Sequence, residues 1–157
     1  AAHPPTPVAQ PEAGADAIAI ADTVGYAAPT EVRSLVADFA REFGDVPLIC
    51  HFHDTRGLGL ANAAAALDHG VRILDASLGG LGGCPFAPNA TGNIVLEDVA
   101  FLARSMGFDV AVNPLALIPA RAAVDVPAVG NCSAAGRGLS QDDVSQRSRA
   151  NEESRRE

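Results

Sequence analysis

The chain has 157 residues, of which 48% are hydrophobic, and its formal net charge is -8. These values fit one globular domain, and the acidic balance argues against nucleic acid or an anionic membrane as a main partner, because both attract basic surfaces. No apolar run reaches the ~18 residues of a spanning helix, and the first residues lack the pattern of a signal peptide. Three cysteines favour free thiols in a reducing compartment, so we expect a cytoplasmic protein.

Lysine is absent from the sequence, so arginine supplies all eleven of the Lys and Arg residues. A Schiff-base mechanism needs a lysine amine, and so does the usual phosphate-binding P-loop. Carbon–carbon bond chemistry in this chain must therefore use another electrophile, and a metal ion is the most direct choice.

Strands and helices alternate along the sequence. Apolar strands are predicted at 17–21, 46–52 and 71–77, and helices at 30–43, 58–68, 93–106 and 114–123. Strands that are apolar on both faces and alternate with helices indicate a parallel sheet covered by helices. A (β/α)₈ barrel and a doubly wound sheet both fit, although the first strand lacks the glycine fingerprint of dinucleotide-binding folds. We predict a loose arm over 1–13, a folded domain over 14–130 and a disordered polar tail over 131–157.

Polar side chains cluster immediately after the predicted strands, at Asp22 and in the stretch "CHFHD" at 50–54. Alternate side chains of a strand share a face, so His51 and His53 are predicted to point the same way. Two neighbouring imidazoles at a strand end make a chelating pair for a divalent metal. The alternative is that one histidine is a loop or capping residue and the other is a satisfied core group.

The glycine-rich loop over 78–92 is the next source of functional groups. Its glycines allow backbone to approach a ligand closely and allow the loop to move. Cys84 in this loop can act as a nucleophile, an acid or a metal ligand, or it can be a small buried hydrophobe. Asn93 stands at the predicted start of the third helix, where a role as N-cap competes with a role in the site.

Three stretches resemble a known family: "ADTVGYAAPTEV", "HFHDTRGLGLANAAAAL" and "DASLGGLGGCPFAPNATGNIVLEDV". They resemble the 3-hydroxy-3-methylglutaryl-CoA lyases, which belong to the DRE-type TIM-barrel metallolyases. The resemblance runs from about Gly14 to Asp109, with the motifs in the family order and spacing. It implies an α/β fold that forms the C-terminal part of a (β/α)₈ barrel. The residues around Asp54 and Cys84 favour a lyase over the related synthases, and lyases for neighbouring 3-hydroxyacyl-CoA substrates remain open.

The resemblance also implies a reaction and a set of site residues. His51, His53 and Asn93 would bind a divalent cation, Mg²⁺ or Mn²⁺, while Cys84 would take part in proton transfer and Asp22 would be an active-site acid. The implied reaction is the retro-Claisen cleavage of 3-hydroxy-3-methylglutaryl-CoA to acetyl-CoA and acetoacetate. The implied partner is therefore a small-molecule acyl-CoA.

The resemblance further implies an arginine and an aspartate metal ligand at the first strand of the barrel. Nothing before Asp16 resembles that pair, and the chain offers three or four of the eight strands of a barrel. Open strand edges are therefore expected. Three interpretations remain: a metal-dependent lyase or its C-terminal part, a non-catalytic relic that binds metal or partners weakly, and a half-barrel that assembles with itself. We expect the chain alone to cleave the thioester little or not at all.

Overall fold

The computed structural model describes residues 14–83 and 92–123. Its elements in chain order are β1 (Ile18–Asp22), α1 (Pro29–Phe43), β2 (Leu48–Phe52), α2 (Gly59–Asp68), β3 (Ile73–Asp75), a 3₁₀ turn (Leu78–Gly80), α3 (Leu96–Ser105) and α4 (Pro114–Ala123). The strands form one parallel sheet in the order β1-β2-β3. The predicted parallel α/β architecture is therefore confirmed. The predicted arm and tail lie outside the described residues, so the domain boundaries stay predictions.

Helix α1 shows why the sequence folds locally as it does. Pro29 occupies the first turn, where its missing N–H costs nothing, and the Glu31 carboxylate accepts the N–H of Ala28 at 2.8 Å. Val32, Val36 and Phe39 recur every three or four residues and are all buried. This apolar stripe packs the helix onto the sheet.

The sheet has two unlike faces because side chains alternate along each strand. The helix-covered face packs against α1, α2 and α3, and it comprises Ile18, Leu48, Cys50, Phe52 and Leu74. The open face comprises Ala19, Ala21, Ile49, His51, Ile73 and Asp75, none of which is buried. Across the open face, Ala21 pairs with His51 in register, and His51 pairs with Asp75.

Several elements are shorter than predicted, and the largest differences are at β3 and α3. Strand β3 covers Ile73–Asp75 rather than 71–77, because the Val71 N–H bonds to the end of α2 and Ser77 bridges Val95 instead. Helix α3 begins at Leu96 rather than 93, because Asn93 forms an antiparallel bridge with His53. Within the described ranges, no helix is long and apolar enough to cross a membrane.

Candidate metal centre

The two histidines of β2 lie side by side. Their ring centroids are 5.0 Å apart, with an angle of 73° between the ring planes. His51 belongs to β2 and His53 follows it by one residue, so alternation directs both side chains to the same side of the sheet, as the sequence predicts. His53 is buried and His51 is partly exposed. The pair is therefore close enough for both rings to contact one ion.

Asn93 joins this pair through the backbone. The Asp54 N–H donates to the Gly92 carbonyl at 3.1 Å, and the Ile94 N–H donates to the Phe52 carbonyl at 3.1 Å. These bonds flank the His53–Asn93 bridge and make it a non-hydrogen-bonded antiparallel pair. In such pairs the side chains share a face and the Cα atoms lie about 4.5 Å apart.

The N-cap interpretation of Asn93 is wrong. Helix α3 begins three residues later, and Val95 is the residue that precedes its first turn. The helix begins there because the chain first returns along the end of β2. The side chain of Asn93 is therefore not used for capping the helix, which leaves it available to the histidine pair.

The amide of Asn93 is satisfied on one side only. Its Nδ2 donates to the Leu81 carbonyl at 2.7 Å, whereas its Oδ1 is buried and has no hydrogen-bond donor. An unsatisfied buried acceptor costs roughly 1–3 kcal/mol, and a bound cation would remove that cost. The oxygen of Asn62 in α2 is also buried without a donor; Asn93 differs because a histidine stands opposite it.

Close approach of the glycine loop permits this arrangement. A Cβ on Gly82 would lie 2.8 Å from Asn93 Nδ2, and a Cβ on Gly92 would meet the Gly80 carbonyl oxygen. Side chains at these positions would separate the two limbs of the loop. The glycines therefore allow Leu81 to reach the amide of Asn93, as expected for backbone that approaches a site closely.

Asp75 contacts His51 from the neighbouring strand. Its Oδ2 lies 3.0 Å from His51 Nδ1, and both groups are on the open face. A carboxylate at Nδ1 holds the proton on that nitrogen and leaves Nε2 as the lone-pair donor, which is a common arrangement for metal-binding histidines. Sequence reasoning missed this role, because it depends on the register between β2 and β3.

Glu97 and Arg121 contact the start of the glycine loop at Gly79, and sequence reasoning missed both. Glu97 is only 1% exposed; its carboxylate accepts the Gly79 N–H at 3.0 Å and lies 3.7 Å from Arg121 Nη1. A signal was present, because Glu97 falls on the stripe that includes Ala100 and Ala103, which are buried. A charge on a buried stripe requires a partner.

Two acids near the site bind backbone. The Asp22 carboxylate accepts the N–H groups of Tyr26 at 3.1 Å and Ala27 at 3.0 Å, and Asp54 accepts the N–H of Gly59 at 2.9 Å. Asp22 therefore organises the loop after β1, and Asp54 organises the start of α2. The role of Asp22 as an active-site acid stays a prediction.

Two cysteines bear on the site, Cys84 in the glycine loop and Cys50 next to His51 in sequence. Cys84 lies outside the described residues, so its place relative to the histidines stays a prediction. Cys50 is a free thiol on the helix-covered face, and burial raises its pKa from 9.0 to about 11. It is thus a core residue, although it is adjacent to His51 in sequence.

Two imidazoles and one amide oxygen are the described donor atoms of the candidate centre. Within 14–83 and 92–123, no three His, Cys, Asp or Glu side chains are grouped so that they could hold a metal ion. The donor types present nevertheless fit a divalent transition ion, since imidazole nitrogen and carbonyl oxygen are ordinary ligands.

Comparison with known proteins places this geometry in a family. Residues 8–124 match the family model described as HMGL-like. The (R)-citramalyl-CoA lyase of Chloroflexus aurantiacus is 47% identical over 107 residues, which are 68% of this chain and 34% of that protein. The hydroxymethylglutaryl-CoA lyase of Pseudomonas mevalonii is 42% identical over 102 residues, covering 65% and 34%. The chain spans about a third of the length of these curated relatives.

Solved structures agree with the sequence comparisons. An HMG-CoA lyase from Acinetobacter baumannii, in complex with coenzyme A and 3-methylmalate, is 39% identical with a TM-score of 0.68, covering 83% of this chain and 44% of that one. The HMG-CoA lyase of Bacillus subtilis is 32% identical with a TM-score of 0.68, covering 87% and 44%. The three strands and their helices are therefore part of a TIM barrel, and the chain belongs to the HMGL-like family of carbon–carbon lyases.

Proposed function

We propose that this chain forms part of the active site of a metal-dependent lyase that cleaves a carbon–carbon bond in a 3-hydroxyacyl-CoA. The first candidate substrate is 3-hydroxy-3-methylglutaryl-CoA. One observation carries the metal site: the buried Oδ1 of Asn93 lacks a donor and stands on the segment that pairs with His53, beside His51. Membership of the HMGL-like family supports the reaction class.

The donor set indicates which cation the site prefers. Mg²⁺ favours oxygen ligands, carboxylates above all, in a near-ideal octahedron. His51 and His53 instead supply nitrogen, and Asn93 supplies a neutral oxygen. Imidazole suits transition ions better, and their affinity rises from Mn²⁺ onwards in the first row. We therefore expect the described ligands to bind Mn²⁺ more tightly than Mg²⁺.

The proposed reaction cleaves one carbon–carbon bond of the substrate and moves one proton from its hydroxyl. The 3-hydroxyl of the substrate loses its proton, the bond between C2 and C3 breaks, and its electron pair passes to C2. Acetyl-CoA leaves as its enolate, while C3 becomes the ketone carbon of acetoacetate, and C2 then takes up a proton. A bound divalent cation would polarise the hydroxyl and carboxylate oxygens of the substrate and lower the pKa of the hydroxyl.

The roles of the protein side chains follow from their positions and from the family resemblance. His51, His53 and Asn93 would hold the cation. We propose Cys84 as the group that returns a proton to C2, because the resemblance assigns it to proton transfer and it follows Gly82, which lies against the Asn93 amide, by two residues. Asp22 is proposed as a further acid at the end of β1.

The open face needs a covering partner. Ala21, Ile49 and Ile73 are apolar and lie on a face that no helix of the described residues covers, and strands of a parallel sheet are normally buried on both faces. We propose that the remaining barrel, supplied as an N-terminal half-barrel, covers this face, and that self-association is the competing outcome. We also propose an acyl-CoA as small-molecule partner and a cytoplasmic location.

A second candidate substrate is (R)-citramalyl-CoA, because the lyase for that thioester from Chloroflexus aurantiacus is 47% identical to this chain. The two thioesters differ by one methylene next to the terminal carboxylate. A pocket discriminates one methylene by roughly 10- to 200-fold. Parallel assays of the chain supplemented with an N-terminal half-barrel, measuring acetyl-CoA release from each thioester, would therefore separate the candidates.

Cation binding tests the metal site without turnover. Electron paramagnetic resonance of Mn²⁺ should give a dissociation constant for the full chain, and we expect His51→Ala, His53→Ala and Asn93→Ala each to weaken it by more than about tenfold. His69→Ala is the matched control, because His69 Nδ1 contacts the Ala65 carbonyl at the end of α2. Equal binding by all four variants would refute the site.

Turnover tests the reaction separately. With Mn²⁺ or Mg²⁺ and a thiol reductant, we expect the chain alone to release little or no acetoacetate, because it spans about a third of its relatives. Adding the N-terminal half-barrel of a relative should restore release. Robust turnover by a monomer of this chain would contradict the proposed need for a covering partner.

A further inference from the structure

The carbonyl oxygen of Leu81 accepts hydrogen bonds from two side chains. The Asn93 Nδ2 group donates to it at 2.7 Å, and the Ser77 hydroxyl donates to the same oxygen through a short hydrogen bond. Both lone pairs of this carbonyl are therefore used. Leu81 directly follows the 3₁₀ turn, so these bonds connect the glycine loop to a proposed metal ligand.

Ser77 is itself anchored to the segment that carries Asn93. Its N–H donates to the Ile94 carbonyl at 3.2 Å, and its carbonyl accepts the Leu96 N–H at 2.9 Å. The hydroxyl, the Leu81 carbonyl, the Asn93 amide and this backbone bridge together close a ring of contacts. The position of the Ser77 hydroxyl is consequently fixed relative to Asn93.

This ring decides which way the Asn93 amide faces. A carbonyl oxygen only accepts hydrogen bonds, so it can pair with Nδ2 but not with Oδ1. The reversed amide would place two acceptor oxygens in contact. With Nδ2 held at Leu81, Oδ1 must point away from the loop, and Oδ1 is the buried atom that lacks a donor.

We propose that Ser77 is a positioning residue for the metal site. Its hydroxyl holds the Leu81 carbonyl, and that carbonyl selects the amide orientation in which Asn93 Oδ1 is presented to the cation. This inference rests on the proposed function. It also couples the position of Leu81 to cation affinity, because displacement of Leu81 releases the amide and allows it to rotate.

Metal affinity gives the first test. We expect Ser77→Ala to weaken Mn²⁺ binding by roughly tenfold or more, as is typical when an outer-shell partner is removed. Ser77→Thr should restore binding, because Ser77 has an extended backbone that suits a β-branched residue that retains the hydroxyl. Ser105→Ala is the matched control, since the Ser105 hydroxyl also donates to a carbonyl, that of Phe101 in α3.

A double-mutant cycle separates positioning from a general structural effect. If Ser77 acts through the amide, Ser77→Ala should cause no further loss of Mn²⁺ affinity in the Asn93→Ala background, where His51 and His53 still bind the ion. Additive losses would mean that the two residues act independently and would overturn the inference. Equal affinity of Ser77→Ala and the parent would overturn it as well.

Nuclear magnetic resonance without metal distinguishes failure of this inference from failure of the proposed function. The side-chain amide protons of Asn93, assigned by their loss in Asn93→Ala, should exchange slowly with solvent in the parent and faster in Ser77→Ala. This difference in exchange, found in a parent that does not bind Mn²⁺, would refute the metal site while supporting the orienting role. Unchanged exchange in Ser77→Ala would overturn the orienting role, whatever the metal affinity.

Discussion

The two faces of the sheet differ far more in their surroundings than in their composition. On the helix-covered face, Cys50 is 2% exposed and Phe52 is 4% exposed. On the open face, Ile73 of the neighbouring strand β3 is 44% exposed. Both faces are nevertheless largely apolar, apart from His51 and Asp75 on the open face and Asp22 at the end of β1. Strands of this composition are typical of sheets that are covered on both sides.

Each strand therefore carries two sets of side chains, one covered by helices and one on the open face. Residues of the helix-covered face stabilise the chain directly. Residues of the open face are more exposed, so we expect them to contribute less to its stability. They provide a histidine, a carboxylate and an apolar surface. Because side chains alternate along a strand, the core residues and the proposed functional residues lie on opposite faces.

Core truncation should give the largest effect and the clearest contrast. We expect Phe52→Ala to reduce the free energy of unfolding by about 3–5 kcal/mol, whereas Ile73→Ala should reduce it by about 1 kcal/mol or less, because that side chain keeps much of its contact with water. Urea denaturation followed by circular dichroism measures both values.

The milder pair Phe52→Leu and Ile73→Val keeps this test usable if Phe52→Ala does not fold. The same denaturation on the chain mixed with an N-terminal half-barrel should raise the cost of Ile73→Val and leave that of Phe52→Leu nearly unchanged. A large cost for Ile73→Val in the chain alone, increasing with protein concentration, would instead indicate that a second copy already covers the open face.

The pH dependence of stability should distinguish Cys50 from its neighbours on the open face. Burial raises the Cys50 pKa from 9.0 to about 11, so between these values the unfolded thiol loses its proton while the folded thiol keeps it. The unfolded state then binds fewer protons, and the free energy of unfolding falls as the pH rises. The stabilisation is complete below pH 9 and decreases by roughly 2–3 kcal/mol by pH 11.

Cys50→Ala removes the titrating thiol and should show a shallower decline. The difference in unfolding free energy between Cys50→Ala and the parent, measured in urea at several pH values between 8 and 11, should change in favour of the variant above pH 9. A difference that stays constant across this range would contradict a buried, high-pKa thiol.

The fold could be predicted because its signals are local. Alternating apolar runs and helical stripes, such as Val32, Val36 and Phe39, require no knowledge of distant contacts. The shortening of β3 and the later start of α3 could not be predicted in the same way. Both depend on bridges that join Ser77 to Val95, 18 residues apart, and His53 to Asn93, 40 residues apart, and such bridges leave no periodic trace in the sequence.

The candidate site likewise combines features that local patterns predict with features that depend on distant contacts. Strand alternation alone places His51 and His53 on one side. Rejecting the capping interpretation of Asn93 required the bridge, and finding Asp75 required the register between β2 and β3. The buried position of Glu97 could have been inferred from the stripe of α3, but its contacts with Gly79 and Arg121 could not.

The smallest expected effect concerns Asp75, the partner of His51 across the open face. The 3.0 Å contact between Asp75 Oδ2 and His51 Nδ1 fixes which ring nitrogen keeps the proton and restrains rotation of the ring. Removal of such partners typically weakens metal binding by 10- to 100-fold. Asp75 has a well-exposed side chain, 60%, so water replaces part of the interaction and we expect the lower end of that range.

Asp75→Ala should therefore weaken Mn²⁺ binding by about tenfold, or roughly 1.4 kcal/mol, and Asp75→Asn should weaken it less, because an amide oxygen still accepts the Nδ1 proton. Stability should change little for either variant, since the open face contributes little to folding in the chain alone. Mn²⁺ titration and urea denaturation of the same samples measure both quantities. If Asp75→Ala bound Mn²⁺ more tightly than the parent, Nδ1 would be the ligating nitrogen and Asp75 its competitor for it. The cation would then lie between His51 and Asp75 rather than between His51, His53 and Asn93.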